Sequence, residues 1–575
     1  MSASVARLQR WFLGAGLFAL PLAYAFNTYD QYVLPKLLIA RVILVGLLIL
    51  IVASSVIARS LVWKRTPLDL PLLAFLASAA LSTVFAVNQN VAVFGIYSRY
   101  DGLVTFLTYA GLFWLSVQVL ADAGEARVLL RVLLASGYVV AGIAIVQSVH
   151  DSLQIGAVYP AFGTLGNANV LGAFLAMVLV LAAGELLDAR SMLARVLSMN
   201  VLAIVALALL LSFSRSAWFG AAIGSMILLA GNWRVVSRLL PVVVLVVGLL
   251  LIAGLVIVAG RTSGGGYGLE RAVTVRATEI VNFSGWSRER TQIWSDSLRL
   301  IAGRPVIGYG PDTFGLVFPG IESGDWGLGL RGVHQPVDKA HAETLQIAAT
   351  QGLLGLAAYL FILATFVRAF WRGRQHPAAW AVFGAVVAYQ ATIQLNFTAL
   401  AAALPFWIFA AAAMVIWGAV TEPAHPITLP AGRRTSVAGI AVIVGLVAAA
   451  IPLAVLPYYA DAQLRAAVDA DYSGHPGAAG APADLAHQLA PQESVYAVEV
   501  GNLAFERGDW AGARLAYLDA ARLGTYNVLV YRNLALADRQ LGRLAEGLWA
   551  ARAAVGLDRF DPANQALLAE FMVAP

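Results

Sequence analysis

The stretch Ser212-Phe213-Ser214-Arg215-Ser216-Ala217-Trp218 separates two apolar runs, about 198–214 and 216–231, each long enough to cross the hydrocarbon core of a bilayer. Read as a turn between two membrane spans, it makes the chain a polytopic membrane protein. It also leaves one guanidinium at a membrane boundary. Charge is costly there, so such a residue usually faces protein or water and serves a ligand or a partner. The bland alternative is an anchor that snorkels to the headgroups. The serines at 212 and 214 argue against it.

Composition agrees with a membrane protein. Of 575 residues, 60% are hydrophobic and only 12% charged, with a mean hydropathy of +0.77; a soluble domain usually carries about 25% charged residues. The net charge of +6 does not point to nucleic acid, because the arginines lie singly or in pairs between apolar runs. Basic residues in that position mostly set topology. Only Lys36, Lys64 and Lys339 are lysines, and there is no cysteine, which excludes disulfides, thiol chemistry and thiolate metal sites. The first apolar run follows Arg7 and Arg10 without a clear small-residue cleavage site and reads as a retained span.

Outward from the opening stretch, further apolar runs lie near 11–27, 37–57, 69–87, 102–121, 128–149, 164–186, 239–259, 345–367, 378–396, 400–420 and 436–457, about thirteen spans in all. With the N-terminus in the cytoplasm, the cytoplasmic loops carry Arg59, Lys64 and Arg65; Arg127 and Arg131; Arg190 and Arg195; Arg234 and Arg238; Arg368, Arg372 and Arg374; and Arg433 and Arg434. The short outer loops carry only Lys36 with nearby Arg41, then Arg99 and Arg215. That alternation follows the positive-inside rule. It places segment 260–344 and everything after the last span outside the cytoplasm.

Segment 260–344 is too polar to span, and its nine basic residues are balanced by nine acids. Residues 263–268, with four glycines, read as a flexible entry. Residues 294–301 read as an amphipathic helix with Trp294, Leu298 and Ile301 on its apolar face, and 305–311 as irregular chain. Long polar loops of this kind are usually functional. From about 459 the pattern becomes that of a soluble helical domain. Gly508, Ala516, Ala520 and Leu523 recur as Gly542, Ala550, Ala554 and Leu557, and 542 − 508 = 34. That is the tetratricopeptide period, with 459–490 expected as a degenerate cap; an unrelated bundle of helical hairpins is the alternative. The expected fold is therefore all-α: a membrane domain over 1–458, its extracytoplasmic loop at 260–344, and an extracytoplasmic helical-repeat domain over 459–575.

Three residues point to chemistry. A guanidinium binds phosphate oxygens through a planar fork and stays charged at any working pH, which suits Arg215. Arg290, in Arg290-Thr291-Gln292-Ile293-Trp294, shares a helical face with Trp294; an ordinary surface arginine is the alternative. His341, in Asp338-Lys339-Ala340-His341-Ala342-Glu343, has carboxylates at i−3 and i+2 that could orient the ring and raise its basicity. His334 is its rival, and a structural histidine is the plain reading of both. Arg99, in Tyr97-Ser98-Arg99-Tyr100-Asp101-Gly102, either lines a sugar groove or sits at headgroup level. Asn167 and Asn169 either serve a ligand or cap a helix. A two-histidine metal site lacks a further clear ligand, and no cofactor is called for. No P-loop, dinucleotide-binding fingerprint or HExxH motif is present.

Taken in order, these elements resemble the O-antigen ligase and polymerase superfamily of bacterial membrane glycosyltransferases, over roughly 70–420. Ser214-Arg215 is similar to its first arginine motif. Arg290 to Trp294, followed by Arg304-Pro305-Val306-Ile307-Gly308-Tyr309-Gly310-Pro311, is similar to its arginine–tryptophan segment and PxxGxG turn. Ala340-His341-Ala342-Glu343-Thr344-Leu345-Gln346 and Gln351-Gly352-Leu353-Leu354-Gly355-Leu356 resemble its "AHNxxLQ…GLLGL" signature, with Ala342 where the family usually has asparagine. Residues 163–169 resemble its asparagine motif, and the C-terminal repeats resemble those of one subgroup.

The resemblance implies a GT-C-like helical glycosyltransferase in the bacterial cytoplasmic (inner) membrane, working on its outer side without a metal. Its donor would be a polyprenyl-diphosphate-linked glycan and its acceptor a hydroxyl on a lipid, a protein or a growing glycan. Arg215 and Arg290 would steady the departing diphosphate and His341 would act as general base. Asp338 or Glu343 would assist the base, and Arg99, Asn169 and Tyr309 would contact substrate. Ligation of a finished glycan, polymerisation of lipid-linked repeats, and protein glycosylation share that donor site. A non-enzymatic carrier or flippase bearing a repeat scaffold is the reading from another class.

Overall fold

The structure, a computed structural model, describes residues 3–149, 160–233, 283–323, 337–423, 425–430 and 432–573. The apolar run at 239–259, the glycine-rich entry at 263–268 and His334 lie outside the described residues. The described residues are almost wholly helical; the strands among them are Ser60–Leu61 and Ile427–Thr428, paired antiparallel. Among the described residues, six helices are long and apolar enough to cross a membrane: Val33–Ala58, Ala123–Ser148, Ala168–Asp188, Met192–Leu211, Glu343–Gly373 and Arg433–Tyr472. Asp69–Val84, Leu103–Val119 and Leu400–Ile416 are apolar but shorter. The chain is thus a multi-pass membrane protein; the expected count of about thirteen spans is not confirmed. Two runs counted from hydropathy, Arg215–Gly231 and Ala379–Gln394, fold as helices of 17 and 16 residues, short of the roughly 20 of an upright crossing.

Those two helices pack through small residues. A Cβ added at Gly220 would stand 2.4 Å from the Ala388 carbonyl oxygen, and one at Gly224 the same distance from that of Gly384. Apolar side chains gain little by leaving lipid for protein, so close backbone approach is what holds such helices together. The pairing is antiparallel: Gly220 meets Thr392 and Gly231 meets Trp380. Arg215 therefore comes level with the loop that follows Gln394.

Glu343–Gly373 is broken at Gly352, where φ is +69° and ψ −171°. Chain from 305–310 inserts at the break. Leu353 N donates to the Pro305 carbonyl at 2.7 Å, Gly310 N to that of Thr350 at 2.8 Å and Tyr309 N to that of Ala349 at 3.2 Å. Backbone groups freed by the break are thereby satisfied. The PxxGxG-like turn and the Gly352 segment, far apart in sequence, are one packed unit.

Helix Phe283–Gly303 borders this unit. Ile293 and Leu300 join Phe314, Phe318, Val337, Ala340 and Ala349 in a small core. The expected apolar face is corrected here, because Leu298 is exposed. The buried stripe runs 293, 296, 297 and 300 instead, since Asp296, wholly buried, accepts from Ser323 N at 3.0 Å and Ser323 Oγ at 2.9 Å.

The C-terminal helices form three pairs, Leu456–Tyr472 with Pro476–Leu489, Ser494–Glu506 with Trp510–Leu523, and Val528–Gln540 with Leu544–Leu557, closed by Pro562–Val573. The same turn joins each pair. Gly474, Gly508 and Gly542 have positive φ, and the following residue donates back to the carbonyl of Ala470, Ala504 and Asp538 respectively. Since 508 − 474 = 34 and 542 − 508 = 34, the segment expected as a cap carries the repeat turn itself. The region is tetratricopeptide-like. The expected boundary at 458/459 falls inside a continuous helical run, Arg433–Tyr472, through a π-turn at Ile451–Val455.

The repeats dock on one end of the membrane helices. Asp461 accepts from Asp30 N at 2.9 Å, from Tyr97 Oη at 2.5 Å and from Tyr496 Oη at 3.2 Å. Asn88 Nδ2 donates to the Arg522 carbonyl at 3.0 Å, and Asn90 Nδ2 to those of Gln492 and Leu523 at 2.9 and 3.0 Å. The loops rich in basic residues gather at the other end: the strand Ser60–Leu61 with Ile427–Thr428, Lys64 on the Leu120 carbonyl, and Arg127 with Asp188.

A Cβ at residue 352 would stand 2.2 Å from the Val306 carbonyl oxygen, so space and φ both call for glycine. Gly352→Ala is expected to destabilise the protein by at least about 2 kcal/mol, read as a lower thermal unfolding midpoint in detergent, while Gly445→Ala, which has open space around it, leaves that midpoint unchanged.

Candidate functional site

Backbone strain marks one region. Among the described residues, six non-glycine residues take left-handed angles: Arg59, Ser98, Tyr100, Phe213, Asp312 and His341. Arg59 merely closes a helix. The others are His341 itself, both neighbours of Arg99, the residue two before Arg215, and Asp312. Such angles cost of order 1–3 kcal/mol each and persist where the surroundings over-determine them.

Lys339 is what over-determines them. Its Nζ donates to Asp101 Oδ2 at 2.8 Å and to Asp312 Oδ1 at 2.9 Å, with all three side chains buried. Asp312 Oδ2 in turn accepts from Ile96 N at 2.7 Å and Asp101 N at 3.3 Å. Burial alone would lower the Lys339 pKa, but Asp101 and Asp312 outweigh it and hold it above the usual lysine value. Beside this knot Arg99 pairs with Asp338 and lies over the Phe397 ring, 5.2 Å from its centroid.

Arg215 lies within electrostatic reach of Arg290, and Arg290 within that of His341. Arg215 opens helix Arg215–Gly231. Arg290 donates to the Leu395 carbonyl. Burial, and after it the neighbouring Arg215 guanidinium, push the Arg290 pKa down to about 10; it remains a cation at neutral pH. His341 meets the edge of Phe397 with ring centroids 5.4 Å apart. Burial, and then Arg290, push the His341 pKa down to about 4, so its imidazole is neutral near pH 7. Its Nδ1 makes no well-aligned hydrogen bond, while the Asp338 charge and a side-chain hydrogen bond with Asn396 both favour the protonated ring. Asp338 also pairs with Arg99, and Glu343 Oε2 accepts from Thr398 N at 2.8 Å. The left-handed turn at His341 precedes the helix that starts at Glu343.

The remaining candidates divide. Asn167 is a helix cap, its Oδ1 accepting from Asn169 N at 2.8 Å. Asn169 Oδ1 accepts from Ser214 Oγ at 2.9 Å, which ties the starts of helices Ala168–Asp188 and Arg215–Gly231. Tyr309 packs in the small core and lies under Arg304, 5.0 Å away. A cavity of about 280 Å³ opens beside Arg99, lined among others by Asp30, Tyr32, Asp101, Asn167 and Phe397. Among the described residues no three His, Asp or Glu side chains are grouped to hold a metal ion.

Sequence reasoning missed one element, the loop Leu395-Asn396-Phe397-Thr398. Each of its residues touches the site: Leu395 through Arg290, Asn396 beside His341, Phe397 between His341 and Arg99, and Thr398 on Glu343. Its only signal is a short polar gap between two apolar runs.

Residues 200–360 match the family described as O-antigen ligase. The likeness is to that segment of the chain. Arg215, Arg290 and His341 all fall inside it; Arg99 and the 395–398 loop do not. No curated protein matches the chain. Among solved structures it is similar to one titled "Crystal structure of APC/C hetero-tetramer Cut9-Hcn1", with 11% identity, 83% of this chain and 78% of that chain covered, and a TM-score of 0.19. A superposition that loose carries no argument.

Removing the Lys339 amine leaves two buried carboxylates facing each other. Lys339→Met is expected to cost about 3–5 kcal/mol, measured by thermal unfolding in detergent. Adding Asp101→Asn and Asp312→Asn to it should recover most of that loss.

Proposed function

We propose that the protein is an O-antigen-ligase-like glycosyltransferase that moves a glycan from a polyprenyl-diphosphate carrier to an acceptor hydroxyl. We place the reaction on the outer side of the bacterial cytoplasmic membrane, with the N-terminus inside and the repeat domain outside. One observation supports this reading: Arg215 and Arg290 lie within electrostatic reach of each other, and the His341 imidazole within reach of Arg290.

Adjacent cations repel, and Arg215 lies at a helix N-terminus, whose dipole adds to the positive potential. An anion with more than one negative charge turns that repulsion into attraction. A diphosphate leaving group is such an anion, and its charge grows as the glycosidic bond breaks, where fixed donors stabilise it best. The acceptor oxygen bonds to the anomeric carbon on the face opposite the diphosphate. The carbon–oxygen bond to the carrier breaks, its electron pair stays on the diphosphate, and the acceptor proton goes to His341. Inversion follows from that geometry. The cavity beside Arg99 is near the small end of ligand pockets and suits one acceptor sugar ring. The repeats, docked at the same end, suit contact with an acceptor or a partner protein.

Ligation and chain growth share this chemistry, and product length separates them: a single addition for ligation, a ladder for polymerisation. A flippase would leave the glycosidic bond intact and has no use for a neutral base.

The test is purified protein given a polyprenyl-diphosphate-linked glycan. Arg215→Ala, Arg290→Ala and His341→Ala should each lower transfer by about 100-fold or more; near-normal transfer by all three overturns the assignment. The pH profile has a definite sign. Above about pH 4 the His341 imidazole is neutral and accepts a proton, and below it the ring is charged and the step is lost. The kcat/KM, which reports the free enzyme, should therefore fall only as pH drops through about 4, not near the usual 6.5. Arg290→Gln, which removes a repulsion, should move that limb upward.

A further inference from the structure

Two polar side chains meet in the site. His341 Nδ1 and Asn396 Oδ1 are both buried without a well-aligned hydrogen-bond partner, while a side-chain hydrogen bond with Asn396 bears on the His341 ring and raises its pKa. The two are complementary. A neutral imidazole carries one N–H, and an amide oxygen can only accept. The flanking carboxylates have other partners, Asp338 in Arg99 and Glu343 in Thr398 N. Asn396 is itself well held: it is 2% exposed, and its backbone N donates to the Ile393 carbonyl at 3.2 Å. The loop carrying it is fixed on either side by Arg290 on the Leu395 carbonyl and by Glu343 on Thr398 N.

We propose that Asn396 is the positioning residue for the His341 base: its Oδ1 takes the Nδ1–H of the imidazole, fixing the tautomer that presents Nε2 to the acceptor hydroxyl. The proposal rests on the transfer reading given above. A bond at one ring nitrogen sets which nitrogen is free. The charged groups bearing on His341 are Arg290, Arg99 and Asp338; the 395–398 loop adds no charge, and its Asn396 acts through a hydrogen bond that orients the ring and raises its pKa.

The test compares wild type, Asn396→Ala and Asn396→Asp in two measurements. The first is transfer from a polyprenyl-diphosphate-linked glycan across pH. Asn396→Ala should lower kcat at least tenfold with the donor KM unchanged. Asn396→Asp should keep most activity and move the acid limb to higher pH, because a carboxylate on Nδ1 favours the charged ring. The second is the 15N spectrum of histidine-labelled protein in detergent, with His341→Gln identifying the resonance. Wild type should show the Nδ1-protonated tautomer alone, and Asn396→Ala a mixture. A purely structural role would lower stability but leave the limb and the tautomer in place. Wild-type kcat or an unmixed tautomer in Asn396→Ala, or an unmoved limb in Asn396→Asp, overturns the proposal. Should the alanine variant not fold, the aspartate variant decides alone. A wild type that cleaves no lipid-linked glycan defeats the transfer reading, whereas the tautomer still decides the role of Asn396.

Discussion

The Lys339 ammonium between Asp101 and Asp312 holds the candidate site together. An ammonium removed from water is tolerated only where opposite charge and hydrogen bonds replace its hydration. Two carboxylates do so here, and they come from different loops. Asp101 follows the Arg99 turn, Asp312 follows the turn inserted at Gly352, and Lys339 stands two residues before His341. Joining them forces the three segments to meet at fixed register. The left-handed angles at Ser98, Tyr100, Asp312 and His341 are the conformational cost of that meeting. Arg99 is then committed to Asp338, and the His341 ring is left facing Phe397 and Arg290.

The repeats belong to the same construction. They are joined to the membrane helices through an unbroken helical run and bonded laterally through Asp461, Asn88 and Asn90. Tyr526, in the turn between Trp510–Leu523 and Val528–Gln540, lies within electrostatic reach of Asp338 and Arg99. Glu493 shows how closely the two parts fit: burial first pushes its pKa up to about 8, even with Arg41 of a membrane helix nearby. A module on a tether would not bury an acid against a membrane arginine. Whatever reaches Arg99 from that end passes the repeats.

Much of this was legible in the sequence for reasons of period and chemistry. The 34-residue glycine period gave the repeats because every pair needs the same positive-φ turn. The glycines at 308, 310 and 352 were visible as motifs, though not that they interlock. Arg215 stood out as an isolated charge and Arg290 by its spacing from Trp294, but their proximity is a through-space fact that rests on glycine packing at 220 and 224. One reading went astray by following the hydrophobic pattern alone. The stripe on the 283–303 helix follows buried Asp296, a polar residue no hydrophobic pattern selects. The 395–398 loop left only a short gap between apolar runs, because its contribution is a backbone carbonyl, a backbone amide, an aromatic ring and one amide side chain.

One consequence follows from the two shifted groups together. Arg290 lowers the basicity of His341 by repulsion, and Arg290 is the cation that, in the proposed reaction, meets the diphosphate. When that anion is bound, its charge offsets the guanidinium's, and the repulsion on the imidazole weakens. The His341 pKa would then rise from about 4 by the part that Arg290 contributes, while burial, the larger cause, still holds it down. In the proposed reaction a rise in that direction would make a general base more effective at neutral pH, so donor binding and the strength of the base would be coupled through a single side chain.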